Sequence, residues 1–542
     1  MAAVQREGDR PVRIAIVGGG FAGCCAAAAL SASFADAAVV PEITLFDMGG
    51  RGVSGRSSHR RVRVSDSAVL PDDEAHANND EPLMEFDHGA QFFKAHSPEM
   101  KRLADHWVEQ GWAAEWRGKF GRVSTGASPS VDPANLDFFG CPGASEPLFV
   151  GVGGMQSVCR RVLVCDAPGV TVRKGVRVAQ VERLDGAWRL HGTSGRAALH
   201  DSPESEAALV SSSSLDNETF DFVLMTDVSS SFGAWHRASA GLTEENGCPA
   251  APIAARVGSR PRVPLFTVMV AFRKPKGESG GLPLDAFTVT DSNELWFAAR
   301  QEAKPRFPAD QGAEGDELEC WTLISTAAYA VAEISETTMQ DEKTGAFVPQ
   351  DPAYLNGPNG PSMTIVRAFR RAAVALRQPQ DAVEASKGSA NEFDEADGYS
   401  DIVYLQGQRW GSALAQPLHL FTEHGDGTGP GSSTVRIMNV EYDPSPGGFV
   451  TPSSQISKEG TAVLSRADAA EKPGPYLCEE AANGLEFEHD ADLGFFYAGD
   501  FASRMPGRSP GIEAAALSGI AAASQMAVLL LKAQSSRTQE VV

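Results

Sequence analysis

The sequence predicts an α/β protein of two interleaved parts. One is a doubly wound parallel sheet assembled from both ends of the chain; the other is an α+β part on a mixed sheet from the middle. Three observations carry this. Residues 13–47 read RIAIVGGGFAGCCAAAALSASFADAAVVPEITLFD: a β-branched run, glycines at GxGxxG spacing, an Ala-rich stretch, a second apolar run and a terminal acid. Near the other end, FFYAGD (495–500) precedes a long apolar helical pattern that starts at about residue 511. Between them, apolar segments at 265–272, 286–289, 295–298 and 320–325 have the length and composition of strands in one larger sheet.

The first segment has the chemistry of a dinucleotide site. Gly18 permits the tight turn, Gly20 lets a pyrophosphate approach the backbone, and Gly23 lets helix and strand pack closely. The phosphates would rest on the amides that open the helix, at Phe21 and Ala22, where free N–H groups and the dipole favour negative charge. Asp47 falls where a carboxylate accepts ribose hydroxyls. A Gly/Arg loop follows at 48–61, MGGRGVSGRSSHRR, in which Arg51 and Arg56 add bidentate donors to closely approaching amides. At the far end, Asp500 after Gly499 can accept from a ribityl hydroxyl. The amides of Ile512, Glu513 and Ala514 can stabilise negative charge on a reduced flavin ring. For each Gly-rich segment the plain alternative is a turn with no ligand.

The remaining elements follow in order. Residues 148–165 read as a turn and a helix, 170–181 and 187–190 as alternating strands, and 222–225 as a short buried strand. Two further short strands are expected at 403–406 and 412–415. Segments 69–85, 192–219, 302–319, 337–361, 378–400, 423–433 and 453–480 are too polar and too rich in Ser, Gly, Pro and acids to form a core, and are expected as surface loops. The cofactor part then takes 11–92, 148–240 and 486–534. The substrate part takes 93–147 and 241–420, and 421–485 is a polar linker or insertion.

Bulk properties bound the function. The chain has 542 residues, a net charge of −23 and 42% hydrophobic residues. Such acidity argues against nucleic acid and anionic membrane surfaces as partners. The eight cysteines are scattered, with no CxxC and no His/Cys cluster at zinc spacing, so no metal site is expected. The first residues, MAAVQREGDRPVR, lack an apolar signal core, which gives a cytoplasmic expectation. The apolar run 514–531 is near the minimum length for spanning a bilayer, but Ser518, Ser524 and Gln525 dilute it. A buried helix closing the cofactor domain is expected, with a tail anchor as the alternative.

Several blocks together resemble the renalase-like branch of the amine oxidase/protoporphyrinogen oxidase class of flavoproteins. GRGVSGRSSHRR (50–61) is similar to that class's Gly/Arg box, and FDHGAQFF (86–93) to the block whose backbone lies by the flavin. FVGVGGMQSV (149–158), VRVAQVERLDGAWRL (176–190), LWFAARQEAKP (295–305), QRWGSALAQP (408–417), YAGD and the GIEAAALSG helix complete the set. Ser54 and Ala514 stand where Gly is usual, and Asp227 where Pro is common. The resemblance implies a Rossmann-like FAD-binding domain with non-covalent FAD. It also implies backbone contacts from Gly89 and Ala90, and from Val178 to adenine. The implied activity is an oxidase-type reaction: a hydride leaves a small reduced nitrogen compound, dihydronicotinamide isomers of NAD(P)H among them, and electrons pass to oxygen. Amine or polyamine oxidation and desaturation are alternatives within the class. A catalytically inactive flavin-binding sensor is the alternative of another kind. Oligomeric state stays open.

Candidate side chains for the reaction are few. His88 and Gln91 in the flavin-facing block could orient substrate; equally, His88 could cap a turn and Gln91 bond backbone. Trp296, on a strand with alternating faces, is the candidate wall of a pocket between the flavin face and the middle domain, with a core Trp as the alternative. Trp410 could stack or gate, or serve only as core. Arg300, on the same strand, could point inward with Trp296 or lie at the surface, and Lys304, before Pro305, reads as solvated.

Overall fold

The structure is a computed structural model that describes residues 10–37, 39–70, 83–126, 130–132, 147–194, 215, 218–233, 236, 238–260, 262–273, 282–305, 318–336, 341, 348, 350–377, 402–415, 422–424, 433–435, 474–476, 486–504 and 511–541. Most of the expected surface insertions at 69–85, 192–219, 302–319 and 453–480, and all of 378–400, lie outside the described residues, as do Cys141 and Cys478.

The opening segment folds as β1 (Arg13–Val17), α1 (Phe21–Ser33) and β2 (Glu42–Asp47). β1 and β2 pair in parallel, as a crossover helix requires. β1 also pairs in parallel with the strand Phe222–Met225, and that strand with Phe495–Tyr497. Thr171–Lys174 on one side and an antiparallel edge strand, Glu488–Asp490, on the other complete six strands. Both ends of the chain thus build one Rossmann-like sheet.

The final helix, Ile512–Val541, closes this domain by packing on α1. Of it, Ile512–Lys532 is long and apolar enough to cross a membrane, yet most of that stretch is buried inside the protein. The contact is close because both helices present small residues: a Cβ on Gly519 would sit 2.1 Å from Ala22 O.

Next in the chain come β3 (His59–Arg63), β4 (Val69–Leu70) and β5 (Leu83–Asp87), a small antiparallel sheet. The helix Pro98–Glu109 follows, capped by Ser97 Oγ, and packs Trp107 against Phe21 of α1.

The middle of the chain forms a seven-stranded mixed sheet. Its order is Ile402–Ala415, Arg262–Arg273, Leu318–Ser325, Leu295–Arg300, Ala286–Val289, Phe120–Ser124, Ser130–Asp132. One face is covered by the helices Ala327–Glu336 and Pro361–Arg377, around Phe287, Trp321 and Phe369. The other meets β3 and β5 through Val62, Met84, Phe86, Met269 and Tyr404.

One expectation is corrected: residues 403–406 and 412–415 are not two strands but parts of one, Ile402–Ala415. Gly407, in the gap between the two expected strands, lies inside the single one, at a point where a Cβ would come 2.1 Å from Ser362 Oγ of the covering helix. The pairing skips from Leu265–Trp410 to Val263–Leu414, so residues 411–413 bulge out of register.

Candidate active site

The phosphate cradle is built from backbone. Gly18, with φ +109°, turns the chain out of β1 and donates its amide to Phe46 O at 2.8 Å. Gly23 is needed for packing, since a Cβ would lie 1.9 Å from Gly18 O. Gly20 differs: an added Cβ would meet only Ser54 O, at 3.8 Å, so the space over it is open. Gly20 is also the N-cap of α1 with no side-chain cap, which leaves the first-turn amides, including those of Phe21 and Ala22, without intrahelical acceptors. Beside this opening lies Ser54, at φ +123°, with its hydroxyl buried and without a hydrogen-bond partner among the described residues. An open cradle, uncapped amides and an orphaned hydroxyl fit a bound diphosphate.

Asp47 ends β2 as expected. Its oxygens accept from Gly19 N at 2.7 Å and Gly49 N at 2.6 Å. Burial pushes its carboxyl up to about 6, and the two amides pull in the other direction. Arg56 lies in the turn Gly55–Ser57 and pairs bidentately with Asp500, one contact being 2.8 Å. Burial works against its charge, but Asp500 outweighs it. The bulge in Ile402–Ala415 delivers Ala413 O to the same guanidinium at 3.2 Å. Two expected cofactor ligands from opposite ends of the chain are thus each other's partners. Gly499 N donates to Ser518 Oγ, which ties the Gly499–Asp500 turn to the final helix.

The other expected cofactor residues distribute as follows. Ile512, Glu513 and Ala514 form the first turn of the final helix, but the Glu513 carboxylate accepts from His96 N and Ser97 N at 2.9 and 3.0 Å. Val178 lies buried in the strand Val176–Leu184, which follows Gly175; the Gly175 amide donates to Gly49 O. Arg51 is exposed. Gly89 and Ala90 lie against the Gly/Arg box: Ala90 N donates to Arg56 O, and a Cβ on Gly89 would come 1.9 Å from that oxygen.

Beneath this loop sits a buried ionic network. Asp87 is 1% exposed. Its Oδ1 accepts from His59 Nδ1 at 2.9 Å and Met155 N at 2.8 Å, and its Oδ2 from Lys304 Nζ at 2.9 Å. Burial raises the carboxyl, but Lys304 and His59 together hold it well below the usual range. Burial likewise opposes charge on His59, yet Asp87 and Glu85 push it up to about 9. On Lys304, burial wins and lowers the ammonium despite Asp87.

The solvated role expected for Lys304 is therefore corrected. The turn Gln301–Ala303 folds the chain back, Trp116 Nε1 holds Ala303 O at 3.0 Å, and Lys304 points inward over the Trp116 ring. Arg300 is likewise no free surface group; it pairs with Asp285 and Glu319.

Gln91 takes the backbone-bracing alternative. Its Nε2 donates to Asp87 O and Gly89 O, and its Oε1 accepts from Lys304 Nζ and Gln301 Nε2. No group on this amide is left for substrate. His88 is different. It is 6% exposed, its Nδ1 has no hydrogen-bond partner among the described residues, and its ring stacks on Trp410 at 5.8 Å. Trp410 Nε1 also donates to His88 O. Burial, with Arg60 and His59 beside it, holds His88 well below its ordinary value, so the ring is neutral. Trp296 sits half-buried at a register irregularity in Leu295–Arg300. Trp410, expected to stack, to gate or to serve only as core, is the tryptophan that meets His88.

Comparison with known proteins matches the first part of this architecture. Residues 16–107 fit the model of the NAD(P)-binding Rossmann-like domain. Among solved structures, cyclohexylamine oxidase from Brevibacterium oxydans IH-35A aligns over 96% of this chain and 100% of its own, at 12% identity and a TM-score of 0.45. An oxidoreductase from Methanosarcina mazei aligns over 60% and 82%, at 11% identity and a TM-score of 0.37. A flavoprotein/dehydrogenase from Cytophaga hutchinsonii aligns over 74% and 66%, at 10% identity and a TM-score of 0.32.

Proposed function

We propose that the protein is an FAD-dependent oxidoreductase of the oxidase type, taking a hydride from a small reduced nitrogen-containing substrate. The observation that carries this reading is the diphosphate cradle at Gly20, α1 and Ser54, together with its closure by the Arg56–Asp500 pair from the far end of the chain. The domain match over 16–107 supports a dinucleotide there. The flavin reading draws on the likeness of 50–61, 86–93 and 495–500 to flavoprotein blocks.

A bound flavin would supply the hydride acceptor and the route to oxygen. The chain's own residues bind and orient. The amides of α1 and the Gly/Arg box would hold phosphate, and Asp47, each of whose oxygens accepts a single amide, keeps lone pairs for ribose hydroxyls. Asp87, Lys304 and Gln91 fix the 88–93 loop as a rigid floor. His88, neutral and stacked on Trp410, offers one ring nitrogen to the reacting molecule. Positioning to within about 1 Å is worth on the order of a hundredfold in rate.

The test is purification followed by anaerobic titration. The protein should be yellow and release free flavin on acid denaturation. Its colour should bleach with one member of a panel of dihydronicotinamide isomers, benzylamine, spermine and protoporphyrinogen. Protein that stays colourless after refolding with FAD would refute the reading.

A further inference from the structure

Resting on that reading, we propose that Arg60, flanked by His88 and Trp410, forms a subsite for an anionic group on the substrate, a carboxylate or phosphate carried by a flat ring. Arg60 pairs opposite Phe86 in the β3–β5 ladder, and His88 N extends that ladder by donating to Ser58 O at 3.2 Å. Residues 86 and 88 therefore share a face with Arg60. That face meets one strand of the large sheet: Phe86 stacks on Tyr404 at 5.6 Å, and His88 on Trp410 at 5.8 Å.

Within this cluster Arg60 Nε and Nη1, and His88 Nδ1, are buried without hydrogen-bond partners among the described residues. Arg60 touches the Tyr404 hydroxyl, which is itself turned to Gln406 Oε1 at 2.6 Å. Among the described residues no carboxylate is left to serve the guanidinium. Asp87 is spent on Lys304 and His59, and Glu85 on Arg61 at 2.8 Å. Arg51 adds its charge at Arg60, His88 and Tyr404.

In a chain of net charge −23, this is a local surplus of positive charge beside the loop that carries the reacting face. A guanidinium left unpaired is costly, and an anion supplies the missing acceptors in bidentate geometry. An ammonium substrate would meet like charge instead. The nearly parallel planes of His88 and Trp410, 20° apart, form an aromatic wall suited to a flat molecule.

The test is calorimetric titration of the purified protein with benzoate, phenyl phosphate, benzyl alcohol and benzylamine. At least one anion should bind tenfold or more tightly than the alcohol or the amine, and the preferred anion separates carboxylate from phosphate recognition. Arg60→Gln should weaken that anion at least tenfold while flavin content and benzyl alcohol binding stay unchanged, and Arg60→Lys should recover part of the loss. Benzylamine binding as tightly as the anions would overturn the proposal, with no variant needed. So would an Arg60→Gln protein that keeps its anion affinity, or one that loses flavin and not the anion. Calorimetry does not depend on the cofactor, so anion binding by a colourless protein would support the subsite while refuting the oxidoreductase reading.

Discussion

Replacing Lys304 with methionine removes a charge from a buried network and leaves its partner behind. Asp87 keeps His59 Nδ1 and Met155 N on Oδ1, but Oδ2 loses its 2.9 Å ammonium contact. Breaking a buried pair by deleting one partner costs about 3–5 kcal/mol, and the retained His59 places this case at the lower end, about 3 kcal/mol. The same substitution made on Asp87→Asn strands no carboxylate, so its cost there should fall to about 1 kcal/mol, the scale of an ordinary hydrogen bond. The coupling between the two sites is then about 2 kcal/mol, well above the scatter expected for independent positions. The assay is a double-mutant cycle read by thermal unfolding with released flavin as the probe. A loss of about 3 kcal/mol corresponds to a fall of roughly 6–12 °C for a cooperative unit of 150–250 residues. Equal effects of Lys304→Met in the two backgrounds would refute the reasoning, because the network would then not be a coupled unit.

Three further outcomes follow from the same geometry. Gly20→Val should fold, since its Cβ meets nothing closer than 3.8 Å, yet bind no flavin, because the side chain fills the cradle; normal flavin content would count against the site. Ser54→Gly should raise thermal stability by about 1 kcal/mol by relieving a left-handed serine, while flavin dissociation speeds up through loss of the buried hydroxyl; unchanged stability would show that no strain is stored there. His59, raised in the folded protein to about 9, contributes stability that is complete below about 6.5 and lost as pH rises through 9. Asp87, depressed, contributes stability present above about 3.9 and lost only in stronger acid. Melting temperature should therefore decline between pH 6.5 and 9, and His59→Gln should flatten that decline; a parallel decline in the variant would assign it elsewhere.

The elements most legible in the sequence were those whose chemistry is local. GxGxxG, the acid at the end of β2 and the paired strands at 222–225 and 495–497 follow from spacing and periodicity over a few residues. The helices Pro98–Glu109 and Pro361–Arg377 are absent from the expected elements although each alternates a polar face with a buried stripe, the usual mark of a helix; neither carries a chemical motif. Lys304 escaped for a different reason. A lysine before proline in a polar stretch reads as solvated, and its burial depends on Asp87, 217 residues earlier in the chain. Gln91 reads as a substrate or backbone contact and Arg56 as a cofactor ligand, but their partners in the fold, Lys304 and Asp500, are set by tertiary structure. Ser54 and Ala514 both stand where the resembling blocks have glycine, and of the two only Ser54 takes a positive φ.

The contact between α1 and the last helix has a consequence for how the protein is made. Nearly every residue of α1 is apolar and buried, and much of what covers it is a helix that begins at Ile512. At about 5–20 residues per second, the ribosome needs roughly half a minute or longer to deliver that partner. Throughout that interval α1 is bare on one flank, so the nascent chain is a natural client for a chaperone that holds apolar segments. A nonsense codon shortly before residue 512 should then be as damaging as one near the start, and a ribosome-profiling pull-down would find the holding factor engaged until the final helix emerges.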